Sequence, residues 1–199
     1  MIPKPTSKVA AGVIPFCVRD GRVLFLFHKT FSGRRAGLLV DFGGGARPDE
    51  NHRQTAIREF IEETEAMFFS DNVHAAPTRE QLQSQTQLLE TLFENTLSHH
   101  PHWWCRRKRG GKARNWKTFF IEFEYRDVTQ MNTEWELNPG ARFSKRRELV
   151  WIAADTLVDL YARSPECLWK RVRQLSNIRE TIESIVASKA GGAKLAHCK

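Results

Sequence analysis

Between Gly43 and Phe68 the chain reads GGGARPDENHRQTAIREFIEETEAMF, a glycine triplet that runs into a segment with helical periodicity. The less polar positions Ile57, Phe60, Ile61 and Thr64 recur at i, i+3, i+4 and i+7, so a helix is expected from Asn51 to about Ala66, with Pro48 and Asp49 as start signals. At about 100° per residue, Glu59, Glu62 and Glu63 share the opposite face. They sit late in the helix, where the macrodipole disfavours each anion by about 0.3–1 kcal/mol, and Glu59 and Glu63 repel as i, i+4 neighbours. Local stability does not ask for them. A divalent cation turns such a cluster into a site, and an all-carboxylate set suits hard Mg²⁺ or Mn²⁺ better than zinc. The plainer alternative is a solvated acidic face.

The flanking residues favour the site. From Gly44, five residues lead to Glu50, and seven more lead to Arg58-Glu59-Phe60-Ile61-Glu62-Glu63-Thr64-Glu65-Ala66. This resembles the box of the Nudix hydrolase family, G-x5-E-x7-R-E-U-x-E-E-x-G-U with U apolar, matched at Gly44, Glu50, Arg58, Glu59, Phe60, Glu62, Glu63 and Ala66. Glu65 departs from it, standing where the family has a second glycine that lets the chain leave the helix with φ > 0. The departure bears on local geometry, since the position is not a metal ligand in the family.

The resemblance implies an α/β fold, an alpha/beta/alpha sandwich with a mixed β-sheet and the box as a loop-helix-loop motif. It implies a metal-dependent pyrophosphohydrolase that cleaves a phosphoanhydride in a nucleoside diphosphate linked to another moiety. Glu59, Glu62 and Glu63, with Glu50 in support, are the implied ligands of Mg²⁺ or Mn²⁺, and Arg58 orients them through charge-assisted pairs. Gly43, Gly44 and Gly45 would let backbone approach a phosphate or shape the turn into the helix, and the loop carrying Arg34 and Arg35 would reach substrate. The general base stays open between a glutamate of the box and one of Glu134, Glu136 and Glu148 outside it. Two other enzymatic readings are an RNA 5′-pyrophosphohydrolase and a diphosphoinositol polyphosphate hydrolase. A non-catalytic nucleotide- or RNA-binding module is the reading from another class.

The 199 residues suit one domain, expected over 1–188 with an insertion at about 72–115 and a flexible tail at 189–199. The longest apolar run, around Val23 to Phe27, is too short to span a bilayer, and the start MIPKPTSK has no apolar secretory core. Cys17, Cys105, Cys167 and Cys198 lack CxxC spacing, which favours free thiols in a reducing cytoplasm. A formal charge of +8 favours polyanionic partners: a small phosphorylated, nucleotide-derived substrate first, nucleic acid second, and no membrane. Oligomeric state is left open, with a homodimer as one option.

In chain order, Lys8 to Arg19 reads as a strand whose Pro15 hints at an edge or bulge, Asp20-Gly21 as a hairpin turn, and Arg22 to Lys29 as a buried strand. Gly37 to Phe42 reads as a short strand, Phe68 to Thr78 as strand and loop, and Arg79 to about Leu97 as a helix. Trp116 to Tyr125 is a further strand, Arg126 to Lys145 a loop with Pro139-Gly140, and Arg147 to Ala153 a late strand. Helices follow over Asp155 to Tyr161 and Pro165 to about Ala187.

Two stretches outside the box carry chemistry. His99, His100, His102 and Cys105 have zinc-type donors without the spacing of a closed site, and read as a polar loop. Trp103 and Trp104 beside the basic run Arg106 to Arg114 fit either a packed pair of tryptophans with solvated cations or a phosphate wall that also stacks bases.

Overall fold

The computed structural model describes residues 9–138, 143 and 145–195. Pro139-Gly140 and Cys198 lie outside these. Two strands, β1 (Ala10–Arg19) and β2 (Arg22–Thr30), form a hairpin on Asp20 (φ 50°) and Gly21 (φ 73°), the paired left-handed residues that a two-residue turn requires. Then come β3 (Phe42–Gly45), α1 (His52–Glu63), α2 (Arg79–His99), β4 (Trp104–Arg109), β5 (Lys112–Glu122), α3 (Thr129–Leu137), β6 (Arg147–Ala153), α4 (Ala154–Arg163), α5 (Lys170–Arg173) and α6 (Ile178–Leu195).

The sheet runs β4-β5-β1-β2-β6, with β3 also paired to β1. Among the described strands, β1 and β5 pair in parallel and the other pairs are antiparallel, which makes the sheet mixed. Both faces are covered. Successive residues of β5 show it: Phe119 and Ile121 join Phe60, Phe93 and Trp135 under α1, α2 and α3, while Phe120 joins Phe25, Leu157 and Ile182 under α4 and α6. A strand buried on both faces reads as an apolar run, as the stretch from Phe119 to Phe123 does. The result is the expected α/β/α sandwich.

Several local expectations are corrected. β1 is central, not an edge: Pro15 lies opposite Ile121 of β5, between the part of β1 that pairs with β3 (10–13) and the part that pairs with β2 (16–19). The strand expected at Gly37 to Phe42 starts instead at Phe42, and Val40 and Leu39 make only isolated bridges to His28 and Leu168. Residues 68–78 form turns without a strand, and the loop expected at 126–145 contains α3. The basic run is a hairpin: β4 and β5 pair across Gly110 (φ 56°) and Gly111 (φ 73°), so the segment read as an insertion supplies an edge strand. The helix expected from Pro165 breaks into a short 3-10 turn, α5, and α6 after Asn177 (φ 56°). Backbone bonds explain the break: Leu39 N–H donates to Cys167 O (2.9 Å) and Trp169 N–H to Leu39 O (2.9 Å). α6 continues to Leu195, so 189–195 is helical where a tail was expected.

The close contact that places the box is β3 against β1. A Cβ on Gly43 would lie 2.5 Å from both Ala11 O and Gly12 Cα, whereas one on Gly45 would meet open space. Gly43→Ala should therefore lower stability by about 1–3 kcal/mol in urea denaturation, the usual cost of forcing atoms into packed structure. Gly45→Ala, with nothing to strike, should stay within about 0.5 kcal/mol of wild type.

Candidate active site

α1 begins at His52, one residue after the expected Asn51, because Asn51 caps it, and it ends at Glu63, three residues short of Ala66. Asn51 Oδ1 accepts from the Gln54 amide (3.0 Å) and Gln54 Oε1 accepts from the Asn51 amide (3.0 Å), a reciprocal capping box. Ile57, Phe60, Ile61 and Thr64 are buried, which fixes the rotation of the helix and aims its glutamates.

Those glutamates make different contacts beyond the arginine that Glu59 and Glu62 share. Glu63, the last residue of α1, is buried and its Oε2 accepts the Gly43 amide at 2.7 Å. Glu59 lies flat over Gly44, where a Cβ would come within 2.3 Å of its carboxylate; this close approach is what the glycine serves. Glu62 is the outward member and pairs with Arg47 at 2.6 Å. Gly43 and Gly45 thus position side chains: Gly43 donates to Glu63, and Gly45 O accepts from Arg58 (2.8 Å).

Arg58 is the hub. Its Nε and Nη2 donate to Glu50 (2.7 and 3.0 Å), and its Nη1 to Glu59 (2.8 Å) and Glu62 (2.9 Å). With the bond to Gly45 O, all five guanidinium N–H groups have acceptors. Arg58 thereby holds the Glu50 carboxyl down at about 2, helped by the Arg47 amide. Burial pushes the Glu59 carboxyl above its ordinary value despite Arg58. Burial also opposes charge on Glu63, but His28, Arg171 and the Gly43 amide outweigh it and draw that carboxyl down. His28 Nε2 stands 3.5 Å from Glu63 Oε2, beyond good hydrogen-bond geometry.

Two of the cavities that border the box hold Glu50, Glu62 and Glu63. One, of about 490 Å³, lies between α1 and α2 and is bordered by Glu50, Arg58, Glu62 and Glu90. The other, of about 370 Å³, holds Glu63 against His28, Arg34, Arg35, Lys145, Arg147 and Trp169. Arg34 and Arg35, on a 3-10 turn (Gly33–Arg35), are thus brought to Glu63, with Arg35 Nη1 3.9 Å from Glu63 Oε1. His28 and Trp169 were missed by sequence reasoning. A lone histidine in a buried strand and a tryptophan 106 residues beyond Glu63 carry no pattern linking them to the box.

Other candidates lie elsewhere. The basic run is at the β4 edge, across the sheet from β6, whose Arg147 lines the second cavity. Glu134 is buried, paired with His74 Nδ1 (2.6 Å), and accepts from Asn138 (2.8 Å); Glu136 pairs with Arg146, and Glu148 lies 3.9 Å from Lys29. None of the three lines either cavity. His100 stacks on Trp103 (centroids 3.6 Å apart) and Cys105 Sγ meets Thr181 Oγ1. Trp103 is buried, while Trp104 is half-buried with Lys117 and Arg106 over its ring. Among the described residues, no three His, Cys, Asp or Glu side chains converge closely enough to form a ready metal cage.

No protein-family profile matches the chain, and no curated protein matches it. Among solved structures it is similar to a C. elegans Ap4A hydrolase in a binary complex, at 15% identity and TM-score 0.48, over 92% of this chain and 98% of that one. It is also similar to the M. smegmatis Nudix hydrolase RenU, at 15% identity and TM-score 0.44, over 91% and 87% of the two chains. A Nudix hydrolase from Alicyclobacillus acidocaldarius aligns at 13% identity and TM-score 0.42, over 94% and 92%.

The Glu50 geometry sets a pH dependence. A carboxyl with a folded pKa near 2 and an ordinary value of 4.5 contributes stability that is full above about pH 4.5 and is lost as pH falls toward 2. The advantage of wild type over Glu50→Gln in urea midpoint should therefore be constant from pH 7 to 5 and shrink steadily below 4.5. A pH-independent difference would mean that the Glu50 charge is not what Arg58 holds.

Proposed function

We propose that this chain is a Nudix pyrophosphohydrolase that uses a divalent cation to cleave a phosphoanhydride in a nucleoside diphosphate linked to another moiety. The observation that carries the reading is the box itself: Arg58 gathers Glu50, Glu59 and Glu62 while Glu63 is held by Gly43 at the wall of a cationic cavity. A solvated acidic face would leave these carboxylates exposed, and Glu59 and Glu63 are not.

The donor set fits a hard ion. Glu59 Oε2 accepts no hydrogen bond from any described residue, and burial disfavours its charge, so a cation there would stabilise it. Glu59, Glu62 and Glu63, with Glu50 in support, would hold Mg²⁺ or Mn²⁺. The ion would supply neutralisation of diphosphate charge and polarisation of a phosphorus–oxygen bond. The chain's own residues do the rest. Arg58 keeps the carboxylates in place, the Gly43 amide fixes Glu63, and Arg34 and Arg35 bind substrate oxygens beside it. The unpaired Cys17, Cys105 and Cys167 suit a reducing cytoplasm, and no helix of the described residues is long and apolar enough to cross a membrane.

Screening diphosphate-containing compounds with Mg²⁺ and Mn²⁺, with products read by mass spectrometry, tests the reading. Glu62→Gln, at the exposed member of the cluster, should cut metal-dependent turnover at least a hundredfold with thermal unfolding unchanged. Wild-type rates in that variant would refute it. A 5′-triphosphorylated oligonucleotide tests the RNA reading, which draws on exposed Arg106 and Lys108 of β4. Arg106→Gln with Lys108→Gln should raise KM for the oligonucleotide alone if β4 grips RNA.

A further inference from the structure

We propose that the cavity beside Glu63 is built for a phosphate-rich group, so that the substrate carries phosphates beyond the diphosphate being cut. The inference rests on the reaction proposed above and narrows its substrate class.

Charge is the first observation. Arg34, Arg35, Lys145, Arg147 and Lys170 line the cavity, and among the described residues Glu63 is the one carboxylate on its wall. Arg147 is partly neutralised by Glu65 at 3.2 Å, and Arg35 reaches Glu63 only at 3.9 Å. Arg34, Lys145 and Lys170 have no carboxylate within ion-pair distance among the described residues. Cations crowded on one concave wall repel one another, and a polyanion relieves that repulsion. A single diphosphate shared with metal ions leaves most of this charge unmatched.

Unsatisfied polar groups are the second and independent observation. His28 is fully buried and, among the described residues, neither ring nitrogen makes a hydrogen bond, Nε2 standing 3.5 Å from Glu63 Oε2; Arg147 Nε is likewise buried without a hydrogen-bond partner among them. Both residues line the cavity. An unmade hydrogen bond at a buried group costs about 1–3 kcal/mol, so two such residues on one wall mark where ligand oxygens belong.

Part of the wall is also held by buried bonds. The segment that brings Trp169 and Lys170 is tied to Leu39 by backbone bonds on both sides. Arg171, next along, donates to Asp41 Oδ1 (2.7 Å) and Asp41 O (2.8 Å) in the buried layer. Trp169 in turn carries Lys170 and Arg35 over its ring, at 5.0 and 5.8 Å. Preorganised cations bind a polyanion with little ordering cost.

The test is calorimetric titration of the full-length, metal-free protein with inorganic tripolyphosphate. Wild type should bind it, Lys145→Gln with Lys170→Gln should weaken binding at least tenfold, and Arg106→Gln with Lys108→Gln on β4 should leave it unchanged. The His28 ring resonances should shift on titration of wild type. No binding, equal affinity in the cavity variant, or loss confined to the β4 variant would overturn the inference. Because the readout needs no turnover, binding without hydrolysis of any diphosphate would sink the proposed reaction and leave the cavity assignment standing. Cleavage of simple diphosphates that tripolyphosphate does not inhibit would sink the assignment alone.

Discussion

The box depends on one guanidinium. Glu50, Glu59 and Glu62 crowd together, and Glu59 is pressed against Gly44 in a half-buried setting where an unpaired anion would be costly. Arg58 answers all three and also ties α1 to β3 through Gly45 O. Removing the cation at the buried centre of such a network typically costs about 3–5 kcal/mol, because the carboxylates around it are stranded. Lysine could not substitute, since a point ammonium cannot fork to Glu50, Glu59, Glu62 and a carbonyl at once. Orientation of the carboxylates and attachment of the helix are therefore the same set of bonds.

That attachment needs a thin strand pair. Gly12, Gly43 and Gly44 remove the side chains that would separate β1, β3 and Glu59, and each Cβ restored there would strike backbone or carboxylate. Asp41, one residue before β3, is fully buried and held by Arg171 and Thr118. Arg171 itself lies over the Trp116 ring at 4.4 Å. The Asp41–Arg171 bond thus links the base of the box to the segment carrying Trp169 and Lys170. Box and cationic wall are set by one buried polar layer, so the spacing between them is not free to drift.

How much of this can be read from the residues alone follows from the range of the interactions. Strands β2 and β6, helices α1 and α2, and the Asp20-Gly21 hairpin are local patterns, and they lie where periodicity and turn chemistry put them. Arg58 was legible because its carboxylate partners are on its own helix or the turn before it. The different contacts of Glu59, Glu62 and Glu63 were not, since they depend on the Gly43 amide, the Gly44 surface and Arg47 meeting the helix in three dimensions. The cavity wall draws on residues from 28 to 170, and no spacing rule joins them. The basic run misled because cations next to tryptophans read as part of an insertion; Trp103 and Cys105 pack under α6 and turn the stretch into an edge strand.

The position where the chain departs from the box pattern makes the coupling concrete. Glu65 and Ala66 both adopt left-handed backbone, φ 51° and 57°, so the helix exit keeps the geometry that glycine ordinarily serves and places ordinary residues in it. Each such residue costs about 1–2 kcal/mol. Two bonds offset this: Glu65 pairs with Arg147 at 3.2 Å, and Gln85 of α2 donates to Ala66 O at 2.8 Å. Glycine at 65 would relieve strain but could not make the ion pair. Arg147 would then stand on the cavity wall without its carboxylate, and the wall would be more cationic and less fixed. The glutamate is therefore best understood as a trade at the end of α1, in which backbone comfort is given up to anchor an arginine that faces the same cavity as Glu63.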